Sequence, residues 1–544
     1  MMRLLFLSSL LWAFTAPAAT IAIIDTGFDL DHEFLRPKIL KKETDEEGID
    51  PALSNQFHGW SFHDNSHLKE AVIQDQSILQ EILLFRNLRA KGHREGLSPE
   101  EFEWFSRKNT DKDFMKKVKS FKKHAHGTFV AGIALREGEN INIFPIRGLH
   151  IPIPVVAVKD STIEPSEPAK ASTAQARFQK EIKNSLDRVS RKFRKICHYL
   201  SLRRIEVVNA SYGITYKNIM TKFREMHREI VGQEIEEHVL MDEVNKYFEE
   251  LYRRSTATIQ RYPRMLFIFS AGNSGLDNDA FHHYPSKIKL PNTISVAALN
   301  GEYLATFSNY GQASVDIGAP GVAILSLVPK VYSKDGAEIY SPSSGTSMAA
   351  PYISNLAAQI INANKKLTPG DVKRIIMETG EEKEHLKNRL VSAALVNNQK
   401  ALKAAQFCHE MSLDEAINLA RLNLVPIEED QISIGMAPAI SAEKLQKKAM
   451  ESIPQAITPE EIDDEVTKPE SSSPKDQEKE QPDNSGPLLS TAPETPKKSA
   501  DPAPASQTSE QSLKPSEEMP ASSSEPQPSL PEVQSPDSSP SSPQ

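Results

Sequence analysis

Three short segments of this 544-residue chain carry the side chains of nucleophilic catalysis: Asp25 in IAIIDTGFDLDH, His126 in HAHGTFVAGI and Ser347 in SSGTSMAAP. A serine hydroxyl is a weak nucleophile until an imidazole takes its proton, and the imidazole needs a carboxylate to fix its tautomer. Each segment alone supports a plainer reading. Asp-Thr-Gly also suits a pair of carboxylates that share one proton. It occurs once here, so that mechanism would require a homodimer and would leave the other two segments unexplained. A lone histidine is more often structural than catalytic, and the chain has 15. A serine at a helix start is commonly just an N-cap. Together, in the order Asp, His, Ser, the three point to acyl transfer.

The elements around them suit that chemistry. An apolar strand delivers Asp25 at its carboxyl end, where sites gather in open parallel sheets. Small residues after His126 (Gly127, Ala131, Gly132) let a helix pack closely while presenting the imidazole. Gly345-Thr346 before Ser347, with Met-Ala-Ala-Pro after it, predicts a tight turn into a helix. Such a start offers unpaired N–H groups and a positive dipole end beside the nucleophile. Runs rich in Ile and Val recur at Thr20–Ile24, Ile141–Ile146, Ile205–Asn209, Met265–Ser270, Thr293–Ala298 and Val315–Ile317. Bounded by Gly, Pro, Asn or Asp, they predict strands buried on both faces. Helical patterns lie between them at Gln74–Ala90, Thr173–Leu200 and Lys217–Tyr252, with small helices at Leu413–Leu424 and Ala442–Ile453. The expected fold class is therefore α/β, a parallel sheet flanked by helices.

Composition divides the chain. Phe407 is the last aromatic residue, and 16 of the 37 prolines fall after Glu465 among Ser, Glu, Gln and Lys. Residues 465–544 hold 14 acids and 6 bases, so this tail carries −8 of the net −9 and the body is nearly neutral. Such a tail cannot bury enough apolar surface to offset its ordering entropy, and it is expected to be disordered. It is a candidate interaction segment for a partner that composition does not identify. A neutral body excludes a basic nucleic-acid face. The first residues, Arg3, the apolar run Leu4–Phe14 and Ala16-Pro17-Ala18, fit a secretory signal over residues 1–19. The run is too short for a membrane anchor and no second candidate follows. Export, to a periplasm or outside the cell, is the expectation. It permits Cys197 and Cys408 to pair without requiring it.

The motifs in register resemble the subtilisin-like serine peptidases, the subtilases. IIDTG, HGTFVAG and SGTSMAAP carry the likeness, and it continues in VVNASYG (207–213), FSAGNSG (269–275), YPS (284–286), ISVAAL (294–299), FSNYG (307–311) and GAPGV (318–322). LTPGDVKRIIMETG and VSAALVN resemble the family's closing pieces, so coverage runs from Ile21 to about Leu402. The resemblance implies a peptidase domain over 20–405. It implies Asp25, His126 and Ser347 as triad, Asn273 as oxyanion donor, and Ser211 and Gly213 bordering the primary substrate pocket. The implied substrate is a protein or peptide, with no cofactor required.

Three departures from the family pattern set further expectations. Asp25 to His126 spans 101 residues and Ser211 to Asn273 spans 62. Helical insertions are expected near 66–120, 162–203 and 215–260, and residues 406–464 would form a small helical extension. In DHEFL (31–35) the family's calcium-binding Asp is Phe34, so calcium is not indicated there and no metal site is assigned. His63 and His67 lie four apart, but no carboxylate-bearing metal pattern accompanies them, and they are expected on the surface. The catalytic strand begins almost at the signal cleavage point, which leaves no room for a removable N-terminal pro-domain.

Overall fold

Apolar β-branched runs become strands wherever a second such run can pair with them. The computed structural model describes residues 18–40, 60–61, 75–138, 140–147, 168–332 and 340–422. Residues 1–17 of the candidate signal, the helix expected at Ala442–Ile453, His63, His67 and the acidic tail lie outside these residues. The strands are β1 Ala19–Asp25, β2 Trp60–Ser61, β3 Ile141–Arg147, β4 Val207–Ala210, β5 Ile214–Thr215, β6 Leu266–Ser270 and β7 His283–Tyr284. They continue as β8 Thr293–Asn300, β9 Tyr303–Leu304, β10 Ile317–Pro320, β11 Ile324–Leu327, β12 Tyr340–Ser343, β13 Glu381–Glu382 and β14 Ala394–Leu395. The main sheet runs β13-β14-β10-β8-β6-β4-β1-β3-β2, with β9 on β8. All pairs from β14 to β2 are parallel. Only the β13–β14 and β8–β9 pairs in it are antiparallel.

The helices are α1 Gln76–Arg94, α2 Pro99–Thr110, α3 Lys112–Ala134, α4 Pro168–Leu202, α5 Tyr216–Val231, α6 Glu237–Ile259, α7 Thr346–Ala363, α8 Pro369–Glu378, α9 Asn398–Phe407 and α10 Leu413–Leu422. They cover both faces of the sheet, and β1 shows how. Its side chains alternate, with Ile21 and Ile23 packed among residues of α3 and α7, and Ala22 and Ile24 among residues of α4, α5 and α6. A third, smaller core joins α1, α2 and the first half of α3 through Phe85, Trp104, Phe114 and Phe121, closed by Tyr332.

Four boundaries differ from expectation. Asp111 caps α3 by accepting from Asp113 N and Phe114 N at 2.9 and 3.0 Å, so this helix runs from the insertion straight through His126. The pattern Lys217–Tyr252 is two helices, since Gly232 takes a left-handed conformation (φ 79) after α5. The strand expected at Val315–Ile317 lies slightly later, because Ile317–Pro320 is the stretch that pairs with Val296–Leu299 of β8. Ala19, at the edge of the candidate signal, already belongs to β1. It is fully buried, and its N–H donates to Asn362 Oδ1 at 2.9 Å. The two cysteines are both free and sit on opposite faces, Cys197 against α4–α6 and Cys408 against the α7 side. No described helix is long and apolar enough to cross a membrane.

Candidate active site

Asp25, Ser211 and Asn273 lie at or just beyond the carboxyl ends of β1, β4 and β6, three neighbours in the sheet. Parallel pairing therefore brings residues from distant parts of the chain to one edge. Asp25 is 2% exposed, and both its oxygens accept from His126 Nδ1, at 2.7 and 2.8 Å. Thr26 N also donates to Oδ1, at 2.7 Å. The Thr26 hydroxyl donates to Lys123 O at 2.7 Å, which ties the strand end to α3 one turn before His126. With Nδ1 committed to a carboxylate, His126 presents Nε2 as a lone pair.

The approach of α3 to β1 depends on Gly127. A Cβ there would overlap Gly27 O, a backbone atom that cannot give way. Next to it, Thr128 Oγ1 accepts from Asp29 N at 2.8 Å and holds the loop after the strand.

Ser347 stands in the first turn of α7. Pro351, four residues on, has no N–H, so the helical bond to the Ser347 carbonyl cannot form. The Ser211 hydroxyl donates to that carbonyl instead, at 3.1 Å, while Ser347 Oγ donates to Ser211 O at 3.2 Å. Asn209 Nδ2 donates to the Ser211 hydroxyl at 2.9 Å, and Ser354 Oγ donates to Asn209 Oδ1 at 3.0 Å. The start of α7 is thereby stitched to the end of β4. Among the described residues no hydrogen bond joins Ser347 to His126; such bonds often tighten only when substrate is bound.

Asn273 is oriented just as definitely. Its Oδ1 accepts from Thr346 N at 2.8 Å and from Thr346 Oγ1 at 3.2 Å, and that hydroxyl accepts from Gly272 N at 3.1 Å. The amide therefore turns Nδ2 outward as the end left to donate. Thr26 and Thr346 were not singled out from sequence. Each adjoins a candidate residue, and a hydroxyl in that position was the available signal.

His283 is the residue with the least sequence warning. Fully enclosed between two glycines, its ring occupies the space where a Gly213 side chain would start, and a Gly272 Cβ would come within 2.8 Å of its Nε2. The Ser286 hydroxyl donates to His283 O at 2.9 Å, so it can only accept from His283 Nδ1, also at 2.9 Å. The neutral ring thus carries its proton on Nδ1. Burial pushes its pKa down to about 4. Its only sequence mark is its place before Tyr284-Pro285-Ser286. Phe34, at the position expected to lack calcium, packs against the core instead. Among the described residues no three His, Cys, Asp or Glu side chains gather to hold a metal ion.

The family model for subtilases matches residues 17–399. The chain belongs to the subtilase family. Relatives include the extracellular basic protease of Dichelobacter nodosus, 34% identical over 144 residues (26% of this chain, 23% of that protein). Serine protease AprX of Bacillus subtilis is 32% identical over 154 residues, 24% of this chain and 34% of that protein. These matches span about a third or less of the curated relatives. Among solved structures, a lanthipeptide protease is similar at 18% identity with a TM-score of 0.37, over 71% of this subtilase and 87% of that chain.

Proposed function

We propose that this subtilase is an exported serine endopeptidase that cleaves peptide bonds in proteins. Ser347 Oγ attacks the scissile carbonyl while its proton passes to His126 Nε2. His126 then gives that proton to the leaving amine, and the acyl-enzyme is released by water through the same exchange. Asp25 holds the tautomer and stabilises the imidazolium. Asn273 Nδ2 and the Ser347 backbone N–H steady the oxyanion. The substrate main chain lies along Ser211–Gly213 as an added strand, and no cofactor takes part. The observation that carries the reading is the buried Asp25 carboxylate bonded through both oxygens to His126 Nδ1. Export is supported by the signal-like N-terminus and by the extracellular relative.

Ser347→Ala is expected to keep its melting temperature, lose labelling by a fluorophosphonate probe, and lose peptide hydrolysis by a factor of about 10⁴ or more. Hydrolysis within a few-fold of wild type would remove Ser347 from the mechanism. Asn273→Ala should lower kcat by roughly 10²–10³ with little change in KM; a loss confined to KM would remove Asn273 from the oxyanion role.

A further inference from the structure

The helical unit before His126 carries cations of two kinds. Lys91 and Lys108 are satisfied by carboxylates of the unit itself, Glu101 at 2.7 Å and Glu81 at 2.5 Å. Arg86, Arg89 and Lys122 have no carboxylate in ion-pair contact among the described residues. They are also not scattered. Arg86 and Arg89 are three apart on α1, and Lys122 is one turn before His126 on α3, so Lys122 and the imidazole share a helix face. Arg86 reaches across to β12, donating through Nε to Ser341 Oγ and through Nη2 to Pro342 O, both at 3.1 Å. That strand leads within a few residues to Ser347. The Arg86 guanidinium lies 5.3 Å from the Phe121 ring centre, and Arg89 lies 4.9 Å from that of Phe85. The rings fix the cations in place while leaving their charge uncompensated.

The three feel one another. Dense surroundings lower the Lys122 pKa, with Arg86 and Arg89 adding to the effect while Asp25 opposes it. Burial and the neighbouring Arg89 push Arg86 down to about 10. Like charges held together, with no carboxylate in ion-pair contact among the described residues, raise the free energy of the site, and a bound anion relieves it. The body outside the acidic tail is nearly neutral, so this patch is not the by-product of a basic protein.

We propose that Arg86, Arg89 and Lys122 form a cationic subsite beside Asp25 and His126 that holds an Asp or Glu side chain of the substrate close to the scissile bond. This rests on the peptidase reading. It adds a substrate class to it, peptides with an acidic residue flanking the cleaved bond. A carboxylate fits better than a larger polyanion, because Arg86 and Arg89 stand one turn apart on α1, each held against an aromatic ring, and make one small cluster of charge.

The test is made on binding, so that it does not depend on turnover. Full-length Ser347→Ala is titrated with fluorescent peptides, amidated at the carboxyl terminus, in which Glu, Gln or Lys is walked through each position. The expected result is one position at which Glu binds at least about fivefold tighter than Gln, with Lys weakest, and a preference that shrinks as salt screens the charges. Adding Arg89→Gln and Lys122→Gln should bring the Glu/Gln ratio to about one; Arg86 is spared because it also holds β12. Equal Glu and Gln affinity at every position overturns the proposal, as does a preference that survives the double substitution. A different outcome is that the same pair, placed in the wild-type enzyme, displaces the pH–rate profile while Ser347→Ala shows no Glu preference. That outcome would assign the cluster to His126 and overturn the subsite. Failure of the peptidase reading would show separately, as wild type that neither labels with a fluorophosphonate nor cleaves any peptide.

Discussion

The two faces of the sheet are built from different materials. On the side that carries α3 and α7, alanines are interleaved with larger side chains: Ala131, Ala134, Ala349, Ala350, Ala357 and Ala358 are buried with Phe129, Ile133, Ile353 and Leu356 in one core with Ile and Val of the strands. On the other side α4, α5 and α6 bring Phe178, Phe193, Phe223, Tyr247 and Phe248 to the same strands. Small side chains let helix backbones approach the sheet, so His126 and Ser347 are placed by contacts with little freedom. Large aromatic rings bury more area per residue and fill the wider space under the charged helices. One face sets distances and the other contributes bulk stability.

The largest effect expected from that contrast is on the aromatic face. Phe248 is fully buried, stacked on His282 at 5.1 Å between ring centres. Phe248→Ala should cost about 3–5 kcal/mol of stability in denaturant titration, while activity per folded molecule, measured by active-site titration, stays near wild type. Activity lost in the folded fraction would mean that this face also sets the site. Gly127→Ala tests the opposite face. Its methyl would push α3 away from Gly27, with an overpacking cost of about 1–3 kcal/mol. A displacement of this kind is expected to lower kcat/KM by roughly 10²-fold. Unchanged kcat/KM would show that the close approach does not position His126.

The smallest effect concerns His283, at the edge where the two designs meet. Burial lowers its folded pKa to about 4 from an ordinary 6.5, so it stays neutral in the fold. Between those values the unfolded chain binds the proton and the folded chain does not. Stability therefore falls as pH falls through this window, by about 2 kcal/mol from pH 7 to pH 5. Melting curves of wild type and His283→Asn should diverge in slope over that range. Parallel curves would show that His283 ionises without penalty.

Much of this was legible in the linear chain because its signals are local. β-branched runs marked six strands of the parallel sheet, and Asp25, His126 and Ser347 stood out through their immediate neighbours. Glycine and proline flanking Ser347 already implied a turn into a helix. The missed features are those in which one residue answers another far away. The Ser347 carbonyl is freed by Pro351, a local fact, but Ser211 takes it across a separation of 136 residues. Asn273 is turned by Thr346, 73 residues on. The extension of α3 back into the insertion follows from the Asp111 cap together with a core shared with α1 and α2, which no periodicity within α3 announces.

The sequence by itself determined the α/β class, the family and the chemical types at the site. Propensity, patterning and motif order act over a few residues and are read without knowing where the chain goes. Tertiary structure alone decided that His283 fills the space beside Gly213 and Gly272, and that Arg86 of α1 reaches Ser341 and Pro342 of β12. Burial and the meeting of charges are properties of neighbours in space, and the parallel sheet makes neighbours of residues that the chain keeps far apart.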